Sequence, residues 1–123
     1  MNRIALRPAL AVLAVGALAM AATACGSSDE APEGAVELSF KLTDAGCVPH
    51  DATVKAGPVE FEVENAGTSA VDEFEVMDGD EILAEKENLT DGLSGSFSLT
   101  LEKGSYTLYC PGGSVEKGTL TVR

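Results

Sequence analysis

Apolar and polar residues alternate one by one along most of the chain from residue 36 onward. Val36, Leu38, Phe40 and Leu42 alternate with polar residues, a pattern typical of a strand with one buried face. No stretch beyond residue 36 shows a convincing helical period, and residues 80–88 are read as strand. The same period of two recurs at residues 59–64, 73–76, 96–101, 106–110 and 119–122, and more weakly at 52–55 and 82–85.

Turn-forming residues separate these runs. About eight short strands with turns at regular spacing predict an all-β, Greek-key antiparallel β-sandwich over residues 36–123. The turn sequences are Ala56-Gly57-Pro58, Asn65-Ala66-Gly67, Asp78-Gly79-Asp80, Lys103-Gly104 and Pro111-Gly112-Gly113.

The first 24 residues have the pattern of a secretory signal: Arg3 and Arg7, an uncharged stretch, then Ala22-Thr23-Ala24. A cysteine directly afterwards resembles the lipobox of bacterial lipoproteins. We therefore expect a signal peptide at residues 1–24, lipid on Cys25, and a flexible tether at residues 25–35. The mature protein would be extracytoplasmic and lipid-anchored to the cell membrane, in the periplasm or on the outer face. The alternative, a retained membrane helix, is disfavoured because the stretch is rich in alanine, which contributes little transfer energy.

The charge of the chain is strongly negative. Of eight basic residues, Arg3 and Arg7 precede Cys25, so six basic residues remain against twenty acidic ones. A domain this acidic does not bind nucleic acid by charge, and it attracts cations. Solubility at a crowded surface is an equally simple explanation of the acidity.

Several short motifs occur in order along the strands and turns. They are Gly46-Cys47-Val48-Pro49, Val54-Lys55-Ala56-Gly57, Glu73-Phe74-Glu75-Val76, Glu85-Lys86-Glu87-Asn88-Leu89, Gly104-Ser105-Tyr106 with Cys110-Pro111, and Gly118-Thr119-Leu120-Thr121-Val122. Together these motifs resemble the cupredoxin family. A narrower resemblance, to the EfeO-type cupredoxin-like domain, implies a place in extracytoplasmic iron uptake beside a membrane iron-uptake system of the EfeU/EfeB kind. The chain ends at Arg123 without the helical imelysin-type domain of EfeO, so the transport role carries over only in part.

A type 1 blue copper site requires two histidines and a cysteine, and this chain has a single histidine, His50. Two interpretations of Cys47 and Cys110 remain open. They form a disulfide, as an isolated cysteine pair outside the cytoplasm does by default. Alternatively, as thiolates, they bind a copper or iron ion together with Glu73 or Asp72, as the EfeO resemblance implies.

Strand alternation leaves the direction of Glu73 undecided. If Phe74 and Val76 face the core, Glu73 faces outward unless a bulge at Asp72-Glu73 turns it toward the cysteines. His50 and Glu87 are second-tier metal ligands: the first by its spacing from Cys47, the second by its place in the family pattern.

The sequence therefore predicts a metal-binding accessory of iron or copper uptake. The competing hypothesis is a metal-free interaction module at the cell surface, stabilised by the disulfide. No arrangement of nucleophile and base typical of an enzyme is present in the sequence.

Overall fold

A computed structural model describes residues 30–123, which fold into two packed β-sheets. The predicted signal peptide and the lipid-bearing Cys25 lie outside the described residues. Across the first sheet the order is β2 (Gly46–Val48), β1 (Val36–Thr43), β4 (Gly57–Asn65) and β7 (Ser94–Leu101). Across the second sheet the order is β3 (Ala52–Val54), β9 (Lys117–Val122), β8 (Gly104–Tyr109), β5 (Phe74–Asp78) and β6 (Glu81–Lys86).

The predicted all-β sandwich is confirmed, with two differences in detail. The described residues form nine strands, and the additional one is the short β2, which carries Cys47. Two strand pairs, β1 with β4 and β3 with β9, are parallel, whereas the sequence predicts an antiparallel sandwich. A period of two reports which face of a strand is buried, and it contains no information on the direction of the neighbouring strand.

The core lies between the sheets and is built around four phenylalanines. Phe40 and Phe61 come from the first sheet and Phe74 from the second, and each is almost completely buried. Their rings and that of Phe97 pack with centroids 4.9–6.2 Å apart, within the range of favourable aromatic contacts. This packing fixes Phe74, so its neighbours Glu73 and Glu75 lie on the opposite, outer face of the second sheet.

Cys47 and Cys110 are joined by a disulfide at one end of the sandwich. Their Cα atoms lie 5.8 Å apart, and the residues are separated by 63 positions in the chain. Cys47 belongs to β2 and Cys110 directly follows β8, so the bond links the two sheets. Both side chains are buried in the core.

Among residues 30–123, no helix has the length and apolar character needed to cross a membrane.

Candidate metal centre

The β5–β6 hairpin carries most of the acidic side chains on the outer face of the second sheet. Its strands are joined through Gly79, whose positive φ of 58° suits a tight turn that a side chain would strain. Met77 lies opposite Ile82, but the next pairs are Val76 with Ala84 and Glu75 with Glu85. One extra residue, Leu83, is therefore accommodated in β6 as a β-bulge.

The bulge decides which side chains meet. If the register of Met77 with Ile82 continued without a bulge, Glu75 would lie opposite Ala84, and the next outward position, Glu73, would lie opposite Lys86. With it, Glu85 lies opposite Glu75 and Glu87 comes beside Glu73. Lys86 is directed to the other side, where its side chain covers Gly95 of β7. Carboxylates are thus gathered on one face, and the intervening lysine is removed from it.

Glu73, Glu85 and Glu87 form what we call the carboxylate cluster. One carboxylate oxygen of each lies within 4.8 Å of those of the others. Glu73 is half-buried, whereas Glu85 and Glu87 are exposed. Three oxygen donors at this separation, open to solvent on one side, can converge on a hard cation such as iron or magnesium.

Glu75 lies beneath the carboxylate cluster and is the most unusual acid of the domain. Its exposed fraction is 6%, although it belongs to the outer face of the sheet. Lys41–Glu64 is the sole salt bridge in the described part of the chain, so no basic side chain compensates Glu75 there. A buried carboxylate surrounded by further carboxylates is costly unless a proton or a cation compensates its charge.

The electrostatics of Glu73 reflect this crowding. Burial, a hydrogen bond with Glu75, and the negative charges of Glu75, Glu87 and Asp72 together raise the pKa of Glu73 to about 7. A carboxyl that resists ionisation near neutral pH is a frequent feature of binding and catalytic sites. A bound cation would offset the repulsion that contributes to the shift.

Buried Asn65, the last residue of β4, positions the segments that carry the cluster. Its side-chain nitrogen lies 2.7–3.2 Å from the backbone oxygens of Thr68, Val71 and Leu89. Its side-chain oxygen accepts hydrogen bonds from the backbone N–H groups of Gly67 and Thr68. The N–H of Leu89 also donates to the carbonyl of Asp72 at 2.9 Å. The residues before β5 and after β6 are therefore held together, and with them Glu73 and Glu87.

The structure brings together some of the predicted site residues and separates others. Glu73 and Glu87 meet, and the exposed Asp72 lies close enough for its charge to affect Glu73. Cys47 and Cys110 meet each other in the disulfide, on the core side of the sheet, whereas Glu73 faces outward. The β-bulge of the hairpin lies in β6, opposite Val76 and Met77, so it does not turn Glu73 toward the sulfurs.

His50 is half-buried and does not belong to the carboxylate cluster. It follows β2 in the chain, and its ring folds back to 3.8 Å from the position that a Cβ on Gly46 would occupy.

Glu85 and Glu75 are site residues that the sequence analysis missed. The signal was present in the spacing, because Glu73, Glu75, Glu85 and Glu87 flank a single predicted turn at Asp78-Gly79-Asp80. Folding that turn as a hairpin places the two glutamate pairs on adjacent strands.

The described residues do not supply the ligands of a type 1 copper site. Cys110 is in the disulfide, and the loop after it closes on itself. The Cys110 N–H donates to the carbonyl of Glu116 at 2.7 Å, and the Gly112 N–H donates to the Glu116 carboxylate at 2.9 Å. A glutamate thus holds, by hydrogen bonds, a loop that contains neither histidine nor methionine.

Comparison with known proteins gives the family. The model of the cupredoxin-like domain family matches residues 12–122. "Iron uptake system component EfeO" of Escherichia coli K12 is 31% identical over 87 residues, which is 71% of this chain. The same match covers 23% of EfeO, so the chain spans about a quarter of the length of this relative.

Solved structures share the fold at low sequence identity. Auracyanin A, a blue copper protein of Chloroflexus aurantiacus, superposes with a TM-score of 0.63 at 16% identity, over 73% of this chain and 100% of its own. The metal-binding domain of the Cu(I)-exporting ATPase CopA of Streptococcus pneumoniae D39 superposes with a TM-score of 0.57 at 18% identity, over 76% of this chain and 91% of its own.

The family match over most of the chain, the EfeO similarity and the sandwich topology agree with one another: this chain belongs to the cupredoxin-like domain family and is an EfeO-type member of it.

Proposed function

We propose that this domain binds iron through the carboxylate cluster and serves as a metal-binding accessory of an iron-uptake system. The observation that carries the proposal is the convergence of Glu73, Glu85 and Glu87 within 4.8 Å, above a buried Glu75 that lacks a basic partner. Such an arrangement is unfavourable when empty and becomes favourable when it holds a cation. It binds and delivers its cargo, and we expect it to catalyse no reaction.

The donor set favours iron over copper. Oxygen ligands suit hard cations, whereas Cu(I) prefers thiolates and thioethers. The two cysteines of the described domain are oxidised to a disulfide and offer no thiolate. The name of the E. coli relative, an iron-uptake component, agrees with this choice.

The proposal also includes the location. A lipid on Cys25 and a tether at residues 25–35 would hold the sandwich close to the outer side of the cell membrane. From there the domain would pass its ion to a membrane iron-uptake system of the EfeU/EfeB kind. The acidic surface would raise the local concentration of cations near that system.

Equilibrium titration of the full chain with Fe(II) under anaerobic conditions tests the proposal. Glu73→Gln or Glu85→Gln replaces one carboxylate ligand by an amide and should weaken iron affinity at least about tenfold. Losing a residue that only hydrogen-bonds a metal ligand already costs that much, so losing a ligand should cost no less. The fold should be retained, because Glu73 is half-buried and Glu85 is exposed.

Glu60→Gln and Glu62→Gln are matched controls, because they remove the same charge from the outer face of the first sheet. They should leave iron affinity nearly unchanged. Equal weakening by all four substitutions would show diffuse attraction by an acidic surface, and the proposed site would be wrong.

The second candidate function is a metal-free interaction module, favoured by the disulfide that closes the domain. Alkylation of the secreted protein followed by non-reducing mass spectrometry reports the state of the thiols. A bridged protein that takes up no iron in the titration would support the module. A bridged protein that binds iron would support the carboxylate site.

A further inference from the structure

The outer face of the second sheet carries a row of four side chains across its strands. Glu85 lies opposite Glu75, Glu75 lies opposite Tyr109, and Tyr109 lies opposite Lys117. Residues directly opposite each other on neighbouring strands direct their side chains to the same face. Tyr109 therefore borders the buried Glu75 and, through it, the carboxylate cluster.

The hydroxyl of Tyr109 has no hydrogen-bond partner in the described part of the chain. The hydroxyl of Tyr106, by contrast, donates to the carbonyl of Glu102 at 2.9 Å. A tyrosine hydroxyl generally finds a partner when it has a structural role. The hydroxyl of the half-buried Tyr109 is therefore available to a ligand.

Tyr109 lies between a lysine on one side and the carboxylates of the cluster region on the other. The Nζ of Lys117 lies 5.3 Å from the centroid of the ring, a cation–π distance, on the side away from Glu75. The charge of Glu116, partial burial, and the charges of Glu75 and Glu73 raise the pKa of Tyr109. These negative charges disfavour the phenolate in the empty site, and a bound Fe(III) ion would offset them.

We propose that Tyr109 provides a phenolate ligand to the ion held by the carboxylate cluster, so that the site prefers ferric over ferrous iron. This inference rests on the proposed function of the cluster. Phenolate and carboxylate oxygens are hard donors, and they stabilise the more highly charged ion. Coordination breaks the phenol O–H bond, forms an oxygen–iron bond and releases one proton to solvent, and the oxidation state of the iron does not change.

Optical titration of the full chain with ferric nitrilotriacetate tests the inference. A phenolate bound to Fe(III) gives a charge-transfer absorption in the visible, and resonance Raman excitation in that band enhances the ring vibrations of tyrosine. The wild type should develop the band. Tyr109→Phe should lose it, and its Fe(III) affinity should fall at least about tenfold, while Fe(II) affinity changes little.

Tyr106→Phe is the matched control, because it removes a hydroxyl from the other tyrosine of the chain. It should keep the band. Iron binding without a visible band in the wild type, or a band that persists in Tyr109→Phe, would overturn the role of Tyr109 and leave the carboxylate site standing. Failure of the wild type to retain iron, measured by equilibrium dialysis, would overturn both proposals.

Discussion

At the scale of single residues, the most informative feature is an acid buried among acids. The sequence places Glu73 and Glu75 on either side of a core phenylalanine, but it leaves the direction of Glu73 undecided. It does not show that Glu75 would be 94% removed from solvent, because that depends on neighbouring side chains from β6 and β8. The sequence therefore identifies the acidic residues, but it does not predict the burial of Glu75 or the raised pKa of Glu73.

The raised pKa of Glu73 predicts a dependence of stability on pH. Its value of about 7 in the folded domain lies above the ordinary 4.5, so the folded state binds the proton more tightly than the unfolded state. The resulting stabilisation is complete below pH 4.5 and is lost as pH rises through 7. In the presence of a chelator, urea unfolding should show Glu73→Gln to be as stable as wild type at low pH and more stable at pH 8.

The matched control for this experiment is Glu60→Gln, for which the difference from wild type should not follow the same pH range. A wild type that gains stability relative to Glu73→Gln between pH 5 and pH 8 would contradict the assignment.

At the scale of elements, the hairpin of β5 and β6 creates the site. Its turn and both strands follow from the sequence, since Asp78-Gly79-Asp80 separates two runs with a period of two. The bulge opposite Val76 and Met77 does not follow from the sequence. The energy difference between the bulged and the regular register of β6 depends on how Leu83, Ala84 and Lys86 pack against the rest of the sheet. Glu85 is missed as a ligand for this reason.

Asn65 provides the test at this scale, because it connects the two segments that flank the hairpin. Asn65→Ala leaves backbone groups of the 66–73 loop and of Leu89 without partners, which should cost roughly 3 kcal/mol of unfolding free energy. Iron affinity should also fall, since Glu73 and Glu87 lose their fixed separation. Urea unfolding and iron titration measure the two effects.

Asn88→Gly is the control for Asn65→Ala. Asn88 is an exposed asparagine with a φ of 58°, which glycine adopts readily. It should be close to neutral in both measurements. An Asn65→Ala protein with wild-type iron affinity would show that Asn65 supports the fold and does not position the site.

At the scale of the whole molecule, the group that stabilises the fold and the proposed metal-binding group lie on opposite faces of the second sheet. The disulfide lies on the core side of the second sheet, and the carboxylate cluster lies on the outer face. The fold class was predictable from alternation and turns, and the proximity of the two sulfurs was anticipated. The two parallel strand pairs were not, because they depend on how strands are distributed between the sheets.

This separation predicts different effects of removing the disulfide. Bridging residues 63 positions apart restricts the unfolded chain, so Cys47→Ser with Cys110→Ser should lose about 4 kcal/mol of unfolding free energy. Iron affinity of the molecules that remain folded should stay close to that of the wild type. If iron binding disappears while circular dichroism still reports the β-sandwich, the sulfurs rather than the outer carboxylates hold the ion.

The single extra residue in β6 has an evolutionary consequence. Strand β6 is at the margin of its sheet, where the loss or gain of one amino acid disturbs few neighbours. If the bulge were lost with every residue kept, Lys86 would come opposite Glu73, an attracting couple in place of the repelling Glu73–Glu87 neighbours. Whether a related sandwich carries this ion-binding surface can thus depend on a shift of one residue at the margin of a sheet.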